Sequence, residues 1–265
     1  MAVSSLRPLP FEIRNDNAEC IDARLRVALP SGQATESGVA GEAPHAAVVI
    51  GHGVTSHWDR PWQTELSVAL GNAGLATVLI SFSGNGASEG LFEGATPTKE
   101  AADLGSVLDA LQAWGVQRLA YVGHSMGGAV GVLRASMDPR IEALVSLAGM
   151  FHVHDFMQRQ FGHLAPGEGL MLDKPGCVWN RALADDARRL GSLQTQAALV
   201  RVPWLLVHGD ADELVPLRDS LDARAAAGET PELAVLPGVD HRFTDAVPAM
   251  TAAVVPWLTS RLMSR

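Results

Sequence analysis

The amino-acid sequence predicts an α/β protein with a mostly parallel central sheet and helices on both faces. Two patterns carry that prediction. Short, wholly apolar, β-rich runs recur along the chain, and each is followed by a stretch with helical periodicity. The runs lack polar alternation, as strands covered on both faces do. The composition agrees: 265 residues, 47% hydrophobic and 18% charged, make a chain able to bury a core without cross-links.

In chain order, Phe11–Arg14 and Ile21–Ala28 read as a pair of short strands, and Ser31–Pro44, rich in Gly, Ala and Ser, as a surface loop. The apolar runs are Ala47–Ile50, Ala76–Phe82, Leu119–Val122, Ala143–Leu147, Trp204–Val207 and Leu233–Leu236. Helical patterns occupy Trp62–Asn72, Pro97–Trp114, Met126–Met137, Leu217–Ala227 and Thr244–Met263. The rhythm breaks once, over residues 149–200. That stretch is too long for a structureless loop, so helices of its own are expected there. We read the chain as one domain, 1–265, with 149–200 inserted as a lid.

Charge and cysteines exclude several classes. With 20 basic and 29 acidic residues, the formal net charge is −9, which argues against nucleic acid as a partner. It suggests neutral or weakly charged small molecules as substrates, although surface charge alone does not decide that. No apolar run approaches the roughly 18 residues of a membrane-spanning helix. Met1–Asn17, interrupted by Pro8 and Pro10, lacks the apolar core of a signal peptide, so a cytoplasmic location is expected. Cys20 and Cys177 lie far apart and read as free thiols. His152, His154 and His163 have no supporting carboxylate pattern, so no metal site and no cofactor are expected.

The sharpest signal is Gly123-His124-Ser125-Met126-Gly127-Gly128, directly after one apolar run and directly before a helical one. A serine on so sharp a strand-to-helix turn presents its Oγ above the sheet edge. The chain then approaches itself two residues either side, where only glycine avoids a clash. The Met126 N–H at the helix start would point toward a developing oxyanion. On these residues the chain resembles the α/β-hydrolase superfamily over about Ala46 to the C-terminus.

That resemblance implies roles for further positions. Gly51-His52-Gly53-Val54 matches the oxyanion loop, with the Val54 N–H as second donor and His52 orienting the loop. The family order of serine, acid, histidine points to His241 as base. It points to Asp212 in His208-Gly209-Asp210-Ala211-Asp212 as the acid, with Asp210 and Asp155 as alternatives. Serine rather than aspartate at the turn argues against dehalogenase and epoxide-hydrolase chemistry and for acyl transfer.

The segments 52–61 and 81–90 resemble cytosolic cinnamoyl/feruloyl-type esterases. Val54 departs from a usual aromatic, and Ser81 from a usual aspartate. The resemblance implies a serine carboxylic-ester hydrolase acting on small to medium acyl or aryl esters, with Phe151, Phe156 and Trp179 of the lid as substrate-contacting residues. Its partner would be a small-molecule ester, and a homodimer is left open. The same triad would serve an amide, peptide or thioester hydrolase or an acyltransferase, and a binding module on this fold is the remaining alternative.

Overall fold

A computed structural model describes residues 5–27 and 42–263. The loop expected over Ser31–Pro44 lies, up to residue 41, outside the described residues, as do Ala28, the first four residues and the last two. The sheet has eight strands in the order β1-β4-β6-β5-β7-β8-β9-β10. These are β1 (Arg7–Pro8), β4 (Ala23–Arg26), β5 (Ala46–Gly51), β6 (Ala76–Ile80), β7 (Arg118–His124), β8 (Ile141–Leu147), β9 (Trp204–Gly209) and β10 (Glu232–Leu236). From β6 to β10 all neighbours pair in parallel. At the other edge β4 pairs antiparallel to β6, and β1 to β4.

The amino-terminal strands differ from the expected pair. Only Ile13–Arg14 (β2) and Cys20–Ile21 (β3) form the hairpin, and the chain then crosses into the main sheet as β4. Asp22 is the crossing point. Its N–H bonds Ser88 Oγ, and its carboxylate takes the Trp58 indole N–H at 2.7 Å. These bonds replace ladder bonds and break one expected strand into two.

Period-2 alternation distributes side chains to two cores. In β5, Ala47 and Val49 enter one, Val48 and Ile50 the other. On the second face α1 (Pro61–Asn72) and α8 (Val247–Leu262) pack through Leu66, Leu70, Val254 and Leu258. On the first lie α2 (Pro97–Trp114), α3 (Met126–Ala135) and α7 (Leu217–Ala226). Pro61 and Pro97 open their helices at a position that needs no N–H, and the Thr96 Oγ caps α2 by accepting from Lys99 N–H at 3.2 Å. The last helix begins at Val247 rather than Thr244. Phe243 and Asp245 both have positive φ, 56° and 54°, which no helix accommodates.

Between β8 and β9 the chain forms α4 (Val153–Phe161), α5 (Arg181–Leu190) and the single turn α6 (Gln194–Ala197). Two buried carboxylates tie this excursion to the body. Asp219 of α7 accepts the N–H groups of Phe151 and His152 at 2.8 and 2.9 Å. Asp186 of α5 accepts the Thr98 N–H at 3.0 Å and the Thr98 hydroxyl at 2.8 Å, at the amino terminus of α2.

A third buried carboxyl is left half-satisfied. Glu100 of α2 accepts one bond from Asn85 Nδ2 at 3.3 Å, and its other oxygen has no protein partner. Burial, with Asp103 nearby, pushes its carboxyl well above the usual 4.5. A carboxyl raised in the folded state stabilises fully below its unfolded value and loses that contribution as pH rises toward the folded one. Glu100→Gln should therefore gain Tm relative to the wild type as pH goes from 5 to 9. Thermal melts at several pH values check this, and a constant Tm difference would contradict it.

Candidate active site

The expected nucleophile sits in the turn between β7 and α3. Ser125 has φ 55° and ψ −118°, a conformation costing a non-glycine residue about 1–3 kcal/mol. It is held from several sides. Its N–H donates to Leu147 O at 2.9 Å, and its carbonyl accepts from Gly128 N at 2.9 Å and Met150 N at 3.0 Å. The glycines around it stand where contact forbids a side chain. A Cβ on Gly123 would lie 2.1 Å from the Gly127 carbonyl oxygen, and one on Gly127 would lie 2.5 Å from His52 O. The turn thus packs backbone to backbone against the loop after β5.

That loop is fixed by His52, which is fully buried. Its Nδ1 lies 2.8 Å from Gly53 O and its Nε2 3.0 Å from the Phe82 N–H. A carbonyl only accepts and an N–H only donates, so the proton is on Nδ1 and the ring is neutral. Burial pushes its pKa down to about 4. Beyond it, Val54 and Met126 have backbone N–H groups without an acceptor among the described residues. Ser81 Oγ meets the Trp58 N–H at 3.2 Å, while Asp22, from the neighbouring strand, supplies the carboxylate for the indole.

His241, after β10, and Asp212, after β9, come together. Asp212 Oδ2 lies 2.8 Å from His241 Nδ1 and 3.3 Å from His208 Nε2, and its Oδ1 accepts the N–H groups of Leu214 and Val215 at 2.9 and 2.8 Å. Burial opposes its charge, but the bonds from His208, His241 and the backbone outweigh it and hold the carboxyl well below its usual range. The Asp212 oxygen fixes the His241 proton on Nδ1 and leaves Nε2 basic. Asp210, the alternative acid, instead holds the turn through the Gly238 N–H at 2.6 Å. Asp155 lies exposed on α4.

His208 is the residue that sequence reasoning quoted without assigning. It is fully buried, with Nδ1 2.7 Å from Ser220 Oγ and Nε2 2.9 Å from Val215 O. Those partners put its proton on Nε2, where the Val215 carbonyl accepts it, with Asp212 Oδ2 3.3 Å away. His124, next to Ser125, points its Nε2 at His241 O, 2.8 Å away, and so braces the base through its backbone.

Ser125 and His241 open into one cavity of about 660 Å³. Its walls come from the loop after β5 (Val54, Thr55, Ser56), the start of α1 (Arg60, Trp62), the segment 242–248, and the insert through Phe156, Leu172 and Lys174. Ser125 Oγ has no hydrogen-bond partner among the described residues. Such contacts commonly close only with substrate bound. Of the three aromatic residues expected at the wall, Phe156 lines it. Phe151 and Trp179 do not. Phe151 packs edge-on against Trp204 and Trp179 stacks on Phe161, both in the core, where a large flat ring buries more area than at a cavity rim.

Residues 42–181 match the Hydrolase_4 family, described as serine aminopeptidase, S33. The chain belongs to this family. Its fold is that of the α/β-hydrolase superfamily. Among solved structures, the ferulic-acid-bound Est1E from Butyrivibrio proteoclasticus superposes with a TM-score of 0.80 at 22% identity, covering 96% of this chain and 100% of that one. The monoacylglycerol lipase of Paleococcus ferrophilus gives 0.64 at 19% identity, over 83% of this chain and 96% of that one. Among sequence relatives, a monoacylglycerol lipase of Mycolicibacterium smegmatis is 27% identical over 253 residues, 83% of this chain and 90% of that protein. An uncharacterized protein of Mycobacterium tuberculosis is 30% identical over 190 residues, 69% of this chain, and the match spans 59% of the relative's length. Among the described residues of this hydrolase, no helix is long and apolar enough to cross a membrane.

Two measurements test this geometry. Gly123→Ala should lower Tm and abolish turnover of an activated ester, while Gly94→Ala, whose new Cβ would come no nearer than 3.9 Å to another atom, should match the wild type in both. Burial, then the neighbouring His241, pushes His124 down to about 3. A histidine lowered in the folded state favours the fold above its unfolded value of 6.5 and loses that contribution as pH falls toward the folded one. His124→Gln should therefore show a shallower fall in Tm than the wild type between pH 7 and pH 4.5.

Proposed function

We propose that this hydrolase cleaves carboxylic esters of small to medium acyl or aryl size through an acyl-enzyme intermediate. The observation that carries the reading is the Asp212–His241 bond, which leaves Nε2 basic in the same cavity as Ser125. The esterase and lipase names of the relatives above support it.

Ser125 Oγ attacks the ester carbonyl carbon as His241 Nε2 takes its proton, and Asp212 stabilises the resulting imidazolium without accepting that proton. The carbonyl oxygen becomes an oxyanion facing the Val54 and Met126 N–H groups, each donor worth on the order of 100- to 1000-fold in rate. The carbon–oxygen bond to the alcohol breaks, and His241 returns the proton to that oxygen. Water then attacks the acyl-Ser125 ester with His241 as base again, releasing the acid. The helical insert over residues 149–200 acts as a lid that supplies Phe156 and Leu172 to an apolar wall.

A second reading is favoured by the family description, serine aminopeptidase: the same groups would cleave an amide or peptide bond. A matched ester and anilide separate these. A short-chain p-nitrophenyl ester should give a burst of one equivalent followed by slower turnover. Ser125→Ala should lose at least about 10⁴-fold in kcat. Faster turnover of the matched anilide than of the ester would favour the second reading. Unchanged turnover in Ser125→Ala would sink both.

A further inference from the structure

The cavity wall is not charged like the rest of the molecule. The chain is acidic, at −9, yet three cations, Arg60, Lys174 and Arg242, and two carboxylates, Glu65 and Asp245, line the cavity. Glu65, Asp245 and Arg242 are exposed at its rim, whereas Arg60 and Lys174 are half-buried. Neither Arg60 nor Lys174 makes a side-chain hydrogen bond or ion pair among the described residues. Among the described residues, fifteen other cationic side chains and histidines do pair with carboxylates. Partly desolvated cations without a counter-charge are costly unless something else supplies one.

Both are also held by locked backbone. The Arg60 carbonyl accepts the N–H groups of Gln63 and Thr64 at 3.0 and 3.1 Å, fixing it at the start of α1, whose first turn holds no acidic residue. Lys174 sits in a turn closed by Lys174 N to Met171 O, Cys177 N to Lys174 O and Met171 N to Cys177 O, at 3.0, 3.1 and 2.7 Å. The two residues before it, Leu172 and Asp173, both have positive φ, 49° and 56°. This strained step carries Leu172 and Lys174 to the cavity wall together.

We propose that Lys174 and Arg60 form a carboxylate-recognition subsite, so that the preferred substrate is an ester bearing one free carboxylate, such as a half-ester of a dicarboxylic acid. The inference rests on the ester-hydrolase reading for its reaction, but not for its binding. The rim carboxylates leave the wall with a surplus of a single positive charge. That matches a monoanionic carboxylate better than a dianionic phosphate. A cationic amino ester or a free peptide amino terminus would meet repulsion from the same pair.

The test uses monomethyl adipate, methyl hexanoate and methyl 6-aminohexanoate, which differ in the charge at the far end of the chain. The wild type should favour the half-ester over methyl hexanoate by about tenfold or more in kcat/KM, mainly through KM, and the preference should shrink as NaCl is raised. Lys174→Met and Arg60→Met should each lower that ratio severalfold, with Lys174→Gln as a second variant should Lys174→Met not fold. Calorimetry on Ser125→Ala separates binding from chemistry: it should bind monomethyl adipate about tenfold more tightly than methyl hexanoate, and the double variant with Lys174→Met should lose that margin. Absence of turnover on every ester, with the binding margin intact, would overturn the ester-hydrolase reading and leave the subsite standing. Equal binding of charged and neutral esters, or preference for the amino ester, would overturn the subsite.

Discussion

The strained turn at Ser125 is the constraint around which the molecule is arranged. A serine with positive φ persists only where its neighbours leave no alternative, and here they come from the ends of β5 and β8 and the start of α3, at the end of β7. Leu147 at the end of β8 takes its N–H, Gly128 and Met150 take its carbonyl, and His52 beyond β5 stops the Gly127 backbone at contact distance. The parallel pairing of β5, β7 and β8 brings those three strand ends to one edge of the sheet. The cavity opens at that edge because the turn and its neighbours end there, as crevices in open α/β sheets do.

Charge is managed around that edge by bonds rather than by water. Asp212 has a fully buried side chain, and three donors hold it ionised, the His241 imidazole and two backbone N–H groups, with the His208 ring 3.3 Å away. His208 is itself aligned by Ser220, so the order runs from a serine on α7, through a histidine on β9, to the carboxylate and then to His241. His52 and His124 contribute in the opposite sense: they are buried neutral, with both His52 ring nitrogens on the backbone of Gly53 and Phe82 and the His124 Nε2 on the His241 carbonyl. Polar interiors of this kind are costly when one member is missing, and they enforce a single arrangement when all are present.

The insert is joined to this centre through carboxylates rather than through apolar contact alone. Asp219 of α7 holds its start at Phe151 and His152, and Asp186 of its own α5 reaches the amino terminus of α2. Between those grips lies the strained turn that presents Leu172 and Lys174. The wall it forms has a charge character opposite to that of the whole chain, which shows why net charge is a poor guide to a site.

The sequence by itself determined the layered α/β fold, most helix bounds and the turn at Ser125. Each of these is written locally, as runs of apolar residues, prolines at helix starts, and glycines two positions either side of a serine. Asp210 and Asp212 were both open until the chain folded. Only then did Asp210 turn to the Gly238 N–H, and Asp212 to the imidazole. What the tertiary structure alone decided depends on contacts between distant segments. The split of the amino-terminal strands at Asp22 needs Trp58 and Ser88. The withdrawal of Phe151 and Trp179 into the core needs Trp204 and Phe161 as partners. The role of His208 needs Ser220 on one side and Asp212 on the other. The placement of Arg60 and Lys174 on one wall joins positions 114 residues apart, and no local pattern records which cations a fold will leave facing a cavity without a carboxylate beside them.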